Sequence, residues 1–179
     1  MSAPKLPARS RPIKFMRAAT AVVFVLVLAA SLVRGLRPPP HEGTVSGVAD
    51  GDTVRVYLEG RHQRVRLHGI DCPELDQPYG EDAKRFTLER LQGREVRLEI
   101  KVRDRHERLV ATVFYREAGP GAPERCLNAE LVEAGWAWAY RAYSDAYVSA
   151  EVQARAEPRG LWKAKDPVPP WEHRKATEP

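Results

Sequence analysis

The chain has 179 residues, enough for one domain of roughly 100–150 residues with appendages. Its formal charge of +5 resides in the N-terminus: residues 1–37 hold seven basic residues and no acid, and taking those seven from the 29 leaves 22 basic against 24 acidic residues, a net of −2. A broad basic face is thereby excluded for residues 38–179, so any polyanion site must be local. Two cysteines, Cys72 and Cys126, are too few for a disulfide framework or a structural zinc site. They are free to pair in an oxidising compartment, or to act singly, Cys126 as an apolar residue and Cys72 through its backbone.

Residues 1–17 form a basic n-region, and Ala18–Val33 is a run of 16 residues without a charge. The run is apolar all round, unlike the striped face of a core helix. Gly35 and Leu36, with a snorkelling Arg34, extend it toward the ~20 residues of a bilayer span. Ala29-Ala30-Ser31 offers a small-residue cleavage pattern, so 18–36 reads as a transmembrane anchor or a signal segment. The preceding Lys and Arg keep the N-terminus cytoplasmic. The remainder is therefore expected outside the cytoplasm, in a bacterial-type cell envelope or secreted if the segment is removed.

Residues 37–42 are a stiff Pro-rich linker. Thr44–Ala49 reads as a first strand, Asp50-Gly51-Asp52 as a turn, and Thr53–Leu58 as a second strand with Val54, Val56 and Leu58 on one face. After a turn at Glu59-Gly60-Arg61, a third strand ends at Asp71. In it Val65, Leu67 and (across Gly69) Ile70 alternate with Arg66 and His68, and Pro73 stops regular pairing. The start of one antiparallel strand lies beside the end of the next, which makes Asp52 and Asp71 neighbours although they are 19 positions apart in sequence.

Glu81–Leu91 predicts a helix with Ala83, Phe86 and Leu91 inward and Gly93 as its stop. A fourth strand, Glu95–Val102, turns Val96, Leu98, Ile100 and Val102 inward; Asp104–Arg108 is a polar turn and Leu109–Tyr115 a fifth strand. Asn128 is expected to cap a short helix through Ala134, and Ser144 to cap a last one, Asp145–Glu157. Between them the aromatic run Trp136, Trp138, Tyr140 and Tyr143 favours core packing over base stacking. Residues 163–179 read as a polar, Pro-rich, loosely held tail. The fold class is α+β, mainly β: a five-stranded OB-type barrel with three helices, preceded by the N-terminal hydrophobic segment.

Arg66, Asp71 and Glu74 fall within one short arc. Carboxylate oxygens suit a hard cation, and a guanidinium forks onto phosphate oxygens. Four further stretches lie in order with Val65–Glu74: Asp50–Val54, Asp104–Arg108, Asn128–Gly135 and Arg159–Trp162. Together they resemble the staphylococcal nuclease (thermonuclease) family over about residues 43–162. The resemblance implies a calcium-dependent nuclease that hydrolyses phosphodiester bonds of DNA and RNA to 3′-phosphate products, expected here as a monomer. Carried over by position, Asp52 and Asp71 would be Ca²⁺ ligands, with the backbone carbonyl of Cys72 where the family often has Thr. Glu74 would activate water, Arg66 and Arg108 would grip the phosphate, and Arg105 and Tyr140 would contact substrate. His106 and Glu107 stand where the family commonly has an aromatic and a Gly. The alternative is a non-catalytic barrel that binds nucleic acid or a protein partner; such a module has no need to keep two metal carboxylates, a base and two arginines together.

Overall fold

The computed structural model describes residues 41–177. The segment 18–36 lies outside them, and among the described residues no helix is long and apolar enough to cross a membrane. Strands β1 (His41–Val48), β2 (Thr53–Leu58) and β3 (Arg61–Leu67) form an antiparallel meander. After the two-residue β4 (Ile70–Asp71) come helix α1 (Gly80–Leu91) and strands β5 (Glu95–Arg103) and β6 (Leu109–Arg116). β5 pairs with β1 on one side and β6 on the other, and β6 returns to β3 in parallel, Val65 opposite Leu109 and Arg66 opposite Val110. That last pairing closes the predicted five-stranded barrel.

The barrel closes because its inward positions are apolar with period two. Val45, Val54, Val56, Val65, Leu67, Leu98, Ala111 and Val113 are all buried in one core, each larger side chain contributing about 1.5–3 kcal/mol. The chain continues through β7 (Glu124–Cys126), α2 (Leu127–Glu133), β8 (Trp138–Ala139), α3 (Val148–Ala156), a 3₁₀ turn at Gly160–Lys163, and α4 (Pro170–Thr177).

Five expectations need correction. The third strand does not run through to Asp71. Gly69 takes φ +73, and a Cβ there would stand 2.8 Å from that of Ser144. The chain turns, and Ile70–Asp71 pairs instead with β8. Val102 is 56% exposed, because a bulge between Ile100 and Val102 shifts the register and reverses its side. Asn128 lies inside α2, not at its cap. The Ser144 hydroxyl accepts the Ala146 N–H (3.2 Å) in a local turn, and α3 begins only at Val148. Finally, the tail is not loose throughout, because residues 170–177 form a fourth helix.

Candidate functional site

The β1–β2 turn is clamped before it presents any chemistry. The Asp50 carboxylate accepts the Asp52 N–H (3.1 Å), and the Gly51 carbonyl accepts the Thr87 hydroxyl of α1 (2.6 Å). A Cβ on Gly51 would meet the Ala83 Cβ and the Cys72 Sγ, each at 2.8 Å, so only glycine lets the turn pack this closely. Asp52, 1% exposed, accepts the Cys72 N–H on Oδ2 (2.7 Å) and the Thr53 hydroxyl on Oδ1 (3.3 Å). Its own carbonyl accepts the Leu67 N–H (2.8 Å), which ties the turn to the end of β3.

Asp71, fully buried, lies on β4 opposite Trp138. Arg66 reaches across from β3 and pairs with both Asp52 and Asp71. The carboxylates of the β1–β2 turn and of β4 are thus gathered on one guanidinium; they are neighbours as expected, but Asp71 comes on β4 and not at the end of β3. Glu74 follows on the loop into α1, and that loop is held by its own bonds. Buried Gln77 accepts the Glu74 N–H on its side chain (2.9 Å) and donates its main-chain N–H to the Glu74 carbonyl (2.9 Å). Burial pushes the Cys72 thiol well up from its usual range, so it is neutral and offers no thiolate. Burial also raises Asp50, against the opposing pull of Arg66 and, more weakly, Arg108.

Arg108 is at the same end of the barrel, one residue before the β3–β6 pairing, but its guanidinium pairs with Asp104 (2.8 Å) rather than with the carboxylate group. Asp104 also accepts the N–H groups of His106 and Arg108 (2.9 Å each). Burial opposes its charge, yet these bonds hold Asp104 below the usual carboxylate range. Glu107, where the family has Gly, sits at φ 60 in the left-handed region. Arg105 is exposed, its Nε 3.2 Å from the His106 ring, and it does not join the cluster. Tyr140 does lie beside the site. Its N–H donates to the Gly69 carbonyl (2.9 Å), next to the β4–β8 pair that carries Asp71.

Sequence reasoning missed what α4 brings. Arg174 donates to Glu74 Oε1 (2.6 Å) and to Asp71 Oδ2 (2.8 Å) and Oδ1 (3.3 Å). Trp171 stacks on Tyr140, with ring centroids 5.2 Å apart and planes within 6°. A lone Trp in a polar tail was the available signal, since so large a ring is rarely left without a partner; Arg174 gave none.

Three carboxylates and two guanidiniums therefore meet at one end of the barrel. Its donors are hard oxygens, the chemistry of a divalent cation of the calcium or magnesium type. Among the described residues no set of three or more His, Cys, Asp or Glu side chains is arranged as a metal cage, so a cation here would draw on main-chain oxygen and water as well.

Residues 64–164 match the family model described as staphylococcal nuclease homologue. A protein named uncharacterized endonuclease in Escherichia coli O157:H7 is 38% identical over 138 residues, 74% of this chain and 86% of that one. A micrococcal nuclease of Shigella flexneri is 34% identical over 142 residues, 76% and 82% of the two chains. A Haemophilus influenzae protein, also named uncharacterized endonuclease, is 34% identical over 131 residues, 72% and 70%. With the barrel and these matches together, the chain belongs to the staphylococcal nuclease family.

Proposed function

We propose that the chain is a calcium-dependent nuclease that hydrolyses phosphodiester bonds of DNA and RNA to 3′-phosphate products. The observation that supports this best is the pairing of Arg66 with both Asp52 and Asp71, with Glu74 joined to Asp71 through Arg174, inside a nuclease-family barrel. Asp52, Asp71 and the Cys72 carbonyl would hold Ca²⁺, which when bound supplies positive charge to the phosphate oxygens. Glu74, 37% exposed, takes the proton of the attacking water. The Arg66 guanidinium forks onto the equatorial oxygens as negative charge gathers there, a contact stronger in the transition state than in the ground state. Arg108 joins it by exchanging Asp104 for the phosphate, and Tyr140 offers a ring face to a base. The segment 18–36 holds or delivers the domain outside the cytoplasm.

Cleavage of a fluorescent single-stranded DNA by the full chain tests this, with Ca²⁺ and with chelator. Glu74→Gln and Arg66→Lys should each slow calcium-dependent cutting by about 10²–10³-fold. The product end is read by whether phosphatase treatment is needed before 3′ extension. A folded chain that cuts nothing with any divalent ion defeats the proposal, and DNA binding without cutting would favour the non-catalytic barrel.

A further inference from the structure

Helix α4 lies across the site with little holding it there. Of its eight residues only Pro170 is buried, and a helix this short is far below the ~12–15 residues at which an isolated helix begins to persist in water. Its attachment comes from a few polar and aromatic contacts. Gln77 Nε2 donates to the Val168 carbonyl (3.3 Å), just before the helix, and His173 Nε2 lies 3.1 Å from the Asp76 carboxylate. Trp171 stacks on Tyr140 and meets Trp138 edge-on at 5.6 Å.

What α4 covers is the working part of the site. Arg174 engages both oxygens of Asp71 and one oxygen of Glu74. With Arg66 already on Asp71 Oδ1, no oxygen of that carboxylate is without a guanidinium partner. The indole of Trp171 covers the ring face of Tyr140, where a nucleobase would stack. A cation and a flat ring from one helix thus take the places that a divalent ion and a nucleotide need.

We propose that α4 is an intramolecular cap, with Arg174 and Trp171 competing against divalent cation and nucleic acid for the same groups. This rests on the nuclease reading of the site. The closed state leaves Glu74 paired with a cation and unable to serve as a base. Cation and single-stranded chain displace the helix together, so each makes binding of the other easier. A cap closed 90–99% of the time weakens apparent cation affinity by about 10- to 100-fold.

Calorimetric titration of the full chain with Ca²⁺ alone tests it, comparing wild type with Arg174→Gln and Trp171→Ala. Arg174→Gln should bind Ca²⁺ about 10- to 100-fold more tightly, and Trp171→Ala should shift the same way by a smaller factor. In wild type, Ca²⁺ saturation should speed hydrogen exchange over residues 170–177, a readout that needs no variant to fold. Equal or weaker Ca²⁺ binding by Arg174→Gln, unchanged exchange in wild type, or no Ca²⁺ binding by either protein overturns the cap. The two readings separate cleanly. Tighter binding by Arg174→Gln in a chain that cuts no DNA keeps the cap and sinks the nuclease. Calcium-dependent cutting with unchanged affinities keeps the nuclease and sinks the cap.

Discussion

Two arginines reach Asp71, and they come from opposite kinds of structure. Arg66 stands on a barrel strand, between β2 and the β6 closure, and its neighbours Val65 and Leu67 are buried in the core. Arg174 stands on a terminal helix with one buried residue. The carboxylate is the same, but one cation is fixed by the fold and the other is held by contacts that a ligand is able to replace. Position in the scaffold, more than the ion pair itself, decides which guanidinium stays at the site.

The sharpest way to break this contrast is Arg66→Ala. It strands two almost fully buried carboxylates, so unfolding in urea should show a loss of about 3–5 kcal/mol. A loss below about 1 kcal/mol would mean that Arg174 or water compensates freely, and the contrast would collapse. Next comes Asn128→Ala, which probes the barrel side away from charge. The buried amide accepts the Val113 N–H (2.9 Å) and donates to the carbonyls of His68 (2.9 Å) and Ala111 (3.4 Å), clasping the turn before β4 to β6. Its removal leaves buried groups unpaired and should cost about 2–3 kcal/mol by the same measurement.

Arg108 falls between the two extremes, on a turn rather than a strand or a tail. Glu107→Gly relieves the left-handed residue beside it, and should raise stability by about 0.5–1 kcal/mol without lowering DNA cleavage. A loss would show that the side chain, not the backbone, sets this turn. Arg174→Gln tests the other side of the contrast. Its guanidinium is 37% exposed, and its loss should cost no more than the closing free energy of the cap, about 1.4–2.7 kcal/mol for a 10- to 100-fold shift. A cost comparable to that of Arg66→Ala would make α4 a structural element of the domain and not a removable one.

The barrel was legible because burial there follows a local rule. β2 was predicted at its true limits, and alternating Val and Leu gave the inward faces of β2 and β3. Asp52 and Asp71 were expected together from the β2–β3 pairing and do meet on Arg66, although Asp71 arrives on β4, paired with β8, and not as the end of β3. The misses have a shared physical origin in side chains whose partners lie far along the chain. Asn128 looked like a cap since asparagine often is one, yet it bonds His68, 60 positions away. Val102 followed its strand's period until a bulge reset it. α4 has no apolar stripe to read, and Arg174 finds Glu74 across 100 positions and Asp71 across 103. Arg105 illustrates the converse, a residue that the pattern assigned to the site and that the turn leaves in solvent.

The parallel β3–β6 pairing joins residues 44 positions apart, from Val65 to Leu109, and Arg66 lies on that seam. Long-range ladders are among the slowest contacts for a chain to find, because the loop must close before any bond compensates. Until the seam zips, Asp52, Asp71 and Arg66 are three separately hydrated charges on a moving chain. An unfolded molecule is thus without this constellation, and the site assembles together with the barrel. Folding itself is the step that arms the site.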